Sequence, residues 1–161
     1  MTTQLQTMHI IQATSAAHVR RAKHLFLAYA QSLDIDLTFQ GFAAELAALP
    51  GDYVPPAGAL LLAMCGHEAV GCVALRPLQL PLVAELKRLY VAPQGRGRGL
   101  GLSLTQAALA AARTAAYQRV RLDTLPSMAA AQHIYAQLGF RDIGAYRYNP
   151  VAGARYMELV L

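Results

Sequence analysis

The chain has 161 residues, with 14 lysines and arginines against nine aspartates and glutamates, a formal net charge of +5. That length buries a core without disulfides or a structural metal, so one domain is expected, and the two cysteines, Cys65 and Cys72, lack the neighbours of a zinc site and are expected to stay reduced. Hydrophobic residues make up 55%, yet no apolar window approaches the roughly 18 residues of a membrane span and Met1 to Gln12 lacks the build of a secretory leader, so no membrane is expected and the expected compartment is the cytoplasm.

Met8 to Ala13 is a short apolar run with strand character. Ser15 then stands where a cap belongs for a helix from about Ala16 to Ser32, whose apolar face carries Val19, Ala22, Leu25, Phe26 and Tyr29. Asp34 to Gly41 interrupts the pattern, and Phe42 to Leu49 resumes it as a short helix ending at Pro50-Gly51. Asp34, Asp36 and Gln40 in the interruption read equally well as solvated turn residues and as residues facing a cationic substrate. From Gly58 the character changes to strands: Ala59 to Cys65, a Gly66-His67-Glu68 turn, and Ala69 to Arg76 form an antiparallel hairpin. Pro77 and Pro81 end this unit. Ala84 to Val91 follows as another strand. If it alternates regularly, Glu85, Lys87 and Leu89 share one face and Leu86, Arg88 and Tyr90 the other, unless a bulge changes the phase.

After Pro93 comes Gln94-Gly95-Arg96-Gly97-Arg98-Gly99-Leu100-Gly101, and then an alanine-rich helix to about Tyr117 with Leu100, Leu104, Ala107, Ala108 and Ala111 on one stripe. Four glycines therefore sit where a strand hands over to a helix. That junction favours anions, because a helix begins with unpaired N–H groups and a partial positive charge, and glycine lets a ligand approach the backbone. The pattern lacks the Gly-Lys-Ser/Thr of a Walker loop and the following acid of a dinucleotide site. Arg96, Arg98, Arg113, Arg119 and Arg121 gather around this loop and its helix, which suits a ligand with several phosphates. Aromatic residues are not interleaved with these bases as a nucleic-acid platform requires, so no nucleic-acid partner is expected. Val120 to Thr124 is a strand parallel to the one before the loop. Ser127 caps a helix reaching Leu138, Gly139 closes it, and after the tyrosine-rich loop Tyr146 to Pro150 a last strand runs from Arg155 to Leu161. A homodimer, if formed, would use the last strands.

Arg96-Gly97-Arg98-Gly99-Leu100-Gly101 matches the Arg/Gln-x-x-Gly-x-Gly/Ala signature of the GNAT superfamily of N-acetyltransferases. Glu85 to Val91 resembles that family's strand before the loop, and Ala131, Tyr135, Gly139 and Phe140 are similar in spacing to its later helix-and-turn signature, so the resemblance covers roughly residues 83 to 142. It implies an α/β (α+β) fold with a mixed, mostly antiparallel sheet flanked by helices on both faces. It also implies acetyl-CoA as co-substrate, no metal, and direct transfer in a ternary complex to the primary amine of a small molecule or amino-acid derivative. A non-catalytic acyl-CoA-binding or sensor module on the same fold is one alternative, and a basic nucleic-acid-binding protein is the other.

By that resemblance, Arg96, Gly97, Arg98, Gly99, Leu100 and Gly101 grip the pyrophosphate with Ser103 nearby, and the pantetheine arm lies along Leu89, Tyr90 and Val91 where two parallel strands splay. Transfer needs a neutral amine and a stabilised or protonated thiolate. Resemblance assigns the base to Glu85 and the acid to Tyr135. The other readings are an ion pair with Lys87 or Arg88 for Glu85, and a core-filling ring beside Leu138 and Phe140 for Tyr135. Met128 stands where many family members carry asparagine, with Ser127 beside it as a substitute. Arg88, Tyr146, Tyr148 and Asn149, with Asp36 and Gln40, are the candidates to line an acceptor pocket; His67 and His133 are given no role.

Overall fold

The computed structural model describes residues 6–161 and, at Phe39, the backbone alone. Met1 to Leu5, part of the segment read against a leader, lie outside the described residues. The elements run β1 (Met8–Gln12), α1 (Ala16–Leu33), α2 (Phe42–Ala48), β2 (Ala59–Cys65), β3 (Glu68–Pro77), β4 (Val83–Val91), α3 (Leu100–Thr114), β5 (Arg119–Thr124), α4 (Ala129–Leu138), β6 (Arg141–Ile143) and β7 (Arg155–Val160), with 3-10 turns at Thr38–Gln40 and Pro93–Gly95. The strands form one sheet in the order β1-β2-β3-β4-β5-β7-β6. Only β4 and β5 run parallel; the other neighbours are antiparallel.

Strand alternation sorts the core into two layers. Leu60, Leu62 and Met64 of β2 pack with Ala22, Leu25 and Phe26 of α1 on one face. Leu61 and Ala63 pack with Leu104, Ala108 and Leu109 of α3 on the other. Helices thus cover both faces, as expected from the resemblance. The Ser15 hydroxyl accepts a hydrogen bond from the His18 N–H at 3.1 Å and caps α1 as expected. On α3 the buried stripe also takes in Thr105, Leu109 and Ala112, while Ala107 and Ala111 are half-buried; Thr105 is tolerated inside because its hydroxyl donates to the Gly101 carbonyl at 2.7 Å. One capping expectation is corrected: Met128, not Ser127, precedes α4, and no side chain caps that helix. Gly139 closes it at φ +99. β6 has two exposed residues out of three, so no apolar alternation announces it. β7 is bonded on both sides, which leaves the short β6 as the outer edge available to a dimer at that end. Among the described residues no helix is long and apolar enough to cross a membrane.

Two irregularities of β4 shape the middle of the sheet. Its pairing with β5 covers Val83, Ala84 and Glu85 opposite Arg119, Val120 and Arg121 and then stops, although both strands continue. A gap therefore opens in the sheet. On its other side, β4 pairs Lys87 with Ala74 and Tyr90 with Cys72, so that Arg88 and Leu89 together oppose Val73. Arg88 takes φ +59 there, the mark of a bulge that shifts the side-chain phase. Leu86 and Leu89 both point to the α3 layer, whereas the Arg88 guanidinium lies over the rings of Tyr29 in α1 and Phe42 in α2. Lys87 and Arg88 thus emerge side by side on the α1 face, and Leu89 does not share the face of Glu85 and Lys87.

Candidate active site

At the gap lies a cavity of about 710 Å³. Its wall on one side comes from the glycine loop, the start of α3 and α4; on the other it comes from the end of α1, the turn at Gln40, and Asn149. Because α1 and α3 belong to opposite layers, the cavity passes through the sheet where β4 and β5 part.

Leu89, Tyr90, Val91, Arg96, Gly97, Gly99, Leu100 and Gly101 all line this cavity, as do Tyr135, Ser127 and Met128. Gly97 and Gly99 have φ +78 and +70, and open space surrounds both positions where a Cβ would stand. Arg96 Nε donates to the Val91 carbonyl at 3.1 Å and folds the loop back on its strand. Two residues expected with them stand outside the lining. Arg98 turns away to the sulfurs of Met8 and Cys65, at 3.5 and 3.8 Å. Ser103 is exposed on the outer side of α3.

Tyr135 is buried, packed against Phe140 with ring centroids 5.5 Å apart, and borders the cavity. It fills core and faces the site at once. Burial, with Tyr29 and Asp123 acting in the same direction, raises its phenol above the ordinary value, so it enters the site as a neutral donor.

Glu85 lies outside the lining and is fully buried. Its Oε1 accepts from Arg76 Nε at 3.0 Å, and Arg76 Nη2 stands 2.9 Å from the same oxygen. Its Oε2 accepts the Tyr146 hydroxyl at 2.7 Å and pairs with Arg147. Lys87 Nζ completes the group at 3.9 Å. The sequence expectation of an ion pair with Lys87 is therefore met only loosely, and the close cations are residues far away along the chain.

The acceptor candidates divide. Gln40, Arg88 and Asn149 line the cavity. Arg88 is held in its wall by Glu45, through Nε at 2.8 Å and Nη2 at 3.2 Å, and by the Gln40 side-chain oxygen at 2.7 Å. Burial pushes the Glu45 carboxyl up, but the bonds and charge of Arg88 outweigh it and hold it below the usual range. Asp36 serves the turn, accepting the Thr38 N–H at 2.9 Å. Tyr146 faces Glu85 instead of the cavity, and Tyr148 is 75% exposed. Asn149 Nδ2 donates at 3.1 Å to Asp123 Oδ2.

Asp123, which sequence reasoning passed over, is the one carboxylate among the described lining residues. A signal for it exists. Val120, Leu122 and Thr124 are buried, so alternation turns Arg121 and Asp123 to the opposite face, and Asp123 stands at the end of the strand that borders the gap.

Residues 22–140 match the acetyltransferase (GNAT) family. The chain belongs to this family. An uncharacterized N-acetyltransferase of Schizosaccharomyces pombe is 38% identical over 138 residues, 85% of each chain. An acetyltransferase of Streptococcus agalactiae shares the fold with a TM-score of 0.78 over 97% of this chain and 99% of its own, at 23% identity. A Salmonella typhimurium protein solved with its cofactor acetyl-CoA shares it at 0.69 over 95% and 93%, at 17% identity. This GNAT chain is an acetyl-CoA-dependent acetyltransferase. The stretch matched to the family contains the glycine loop, Asp123 and Tyr135, whereas the GNAT wall residue Asn149 lies beyond it.

Proposed function

We propose that the chain acts as one catalytic domain that acetylates the primary amine of a small molecule while acetyl-CoA is bound beside it, with Asp123 and Tyr135 handling the protons. The observation that carries this reading is the cavity through the sheet gap, which joins the glycine loop on one side to a carboxylate on the other. The residues present suit the coenzyme. The first N–H groups of α3 have no partners within the helix, Gly97 and Gly99 leave room in front of them, and Arg96 adds positive charge. Leu89 to Val91 have no β5 partner, and although the Val91 carbonyl is taken by Arg96, the β5 side of this stretch is left to an amide-bearing arm.

Acetyl-CoA supplies an activated acyl carbon. As the carbon–nitrogen bond forms and the carbon–sulfur bond breaks, the nitrogen must lose a proton and the sulfur must gain one or be hydrogen-bonded. Asp123 is the carboxylate in reach of the cavity for the first task, oriented by Asn149. Tyr135 serves the second as a hydrogen-bond donor to the departing sulfur. Glu85 is already engaged by Arg76, Arg147 and Tyr146, and we assign it to pinning the loop before Asn149 onto the sheet.

The test is thiol release from acetyl-CoA with a panel of small primary amines and of peptides, varying both substrates. Intersecting initial-velocity lines with a small amine are expected. Parallel lines, or release with peptides alone, would overturn the proposal. Gly99→Glu is expected to weaken acetyl-CoA binding about tenfold or more, by placing negative charge at the helix start, with the far-ultraviolet circular dichroism unchanged; calorimetric titration checks it. Tyr135→Phe is expected to lower kcat by roughly 10- to 100-fold, with its KM for acetyl-CoA near the wild-type value.

A further inference from the structure

We infer that the acceptor is an amine that also carries a carboxylate, an α-amino acid being the smallest case, and that Lys87 is the residue that selects it by binding that carboxylate. This rests on the small-amine reading and narrows it.

Lys87 is a charged side chain with only 3% of its surface exposed, and its nearest ionic partner, Glu85, is 3.9 Å away on an oxygen that already serves Arg76. It lines the cavity. Its neighbour Arg88 is fully engaged by Glu45 and Gln40, and Arg96 sits exposed in the glycine loop. Lys87 is therefore the buried cation left uncommitted on the acceptor side. A buried ammonium without a close partner is costly, and a bound anion relieves that cost. The surroundings favour an anion as well: burial and the charges of Arg88, Arg76 and Arg147 push the Lys87 ammonium down to about 8, with Glu85 pulling the other way.

Geometry supplies the rest. The last paired positions of the parallel strands are Glu85 and Arg121, so Lys87 and Asp123 each stand two residues further on, on the same face and on opposite sides of the gap. They form no ion pair with each other. A molecule with an ammonium at one end and a carboxylate at the other fits between them, its nitrogen at Asp123 and its carboxylate at Lys87. One uncommitted positive charge matches a monoanion; a doubly charged phosphate would leave negative charge uncompensated in a buried site.

The experiment measures thiol release with the common α-amino acids, their neutral α-amides and the matching decarboxylated amines, for the wild type, Lys87→Met and Lys87→Arg. The expected result is that the best amino acid exceeds its amide in kcat/KM by tenfold or more, that Lys87→Met brings this ratio close to one through KM for the acid, and that Lys87→Arg restores part of it. Amides or simple amines used as well as the acids overturn the inference and leave the small-amine reading standing, as does a ratio that survives in Lys87→Met. If none of the panel releases thiol from protein that binds acetyl-CoA in the calorimeter, the small-amine reading fails, and this inference with it.

Discussion

Glu85→Gln is expected to destabilise the fold by about 3–5 kcal/mol, the usual effect of removing one partner from a buried ionic group. For a chain of this size that is a fall of roughly 10–15 °C in Tm. The carboxylate is fully buried and is the negative charge facing Arg76, Arg147 and Lys87. Glutamine keeps the shape and removes the charge, so Arg76 and Arg147 lose the carboxylate that pairs with them closely, and Lys87 loses its more distant one. The Nε of Arg147 already lacks a hydrogen-bond partner, which leaves that side chain little to fall back on. Thermal denaturation should therefore show the effect directly, and activity measured well below both transitions should fall far less than stability does. The opposite pattern, an unchanged Tm with kcat reduced a hundredfold or more, would return Glu85 to the role of proton acceptor.

Asp123→Asn is expected to give the complementary outcome: kcat lower by about 10²–10³, in the range for loss of a positioned base, with Tm nearly unchanged. The substitution keeps the side-chain outline and an oxygen for the Asn149 amide, which donates at 3.1 Å in the wild type. Asp123 is half-buried and has no ion pair of its own among the described residues, so little stability depends on its charge. Steady-state kinetics with saturating acetyl-CoA checks this. A kcat within threefold of the wild type would remove Asp123 from the mechanism.

Much of this site is legible in the residues alone. Gly97 and Gly99 announce the loop because each answers a local backbone demand, a positive φ, and local demands are written in consecutive residues. Tyr135 is reachable through the spacing of Ala131, Gly139 and Phe140. Arg98 and Ser103 stand outside the lining because adjacency along a loop does not say which way a side chain turns: Arg98 points back to β1 and β2. The role of Glu85 is harder still. Its partners Arg76, Tyr146 and Arg147 come from β3 and from a loop some 60 positions later, and only register brings them together. The bulge at Arg88 carries no sequence signal, since a non-glycine residue at φ +59 is set by the surrounding sheet. Without that bulge Lys87 and Arg88 would point to opposite faces, and the difference between a wall-holding cation and an uncommitted one would not arise.

The parting of β4 from β5 has a consequence for how the sheet behaves as a surface. Its outer borders are β1 and β6, yet from Leu86 onward β4 also presents a row of N–H and C=O groups that no strand claims on its β5 side. The enzyme thus carries a third edge, in its interior. Exposed edges are templates that recruit extended chains and so invite aggregation. An edge enclosed by helices on both faces keeps the capacity to recruit while admitting only what fits through the cavity. The same feature that would be a liability on the outside becomes a rail for a slender amide-bearing ligand, and the amide hydrogens between Leu86 and Val91 that point to the β5 side should exchange faster than those of β2, which has a strand on either side, until such a ligand docks.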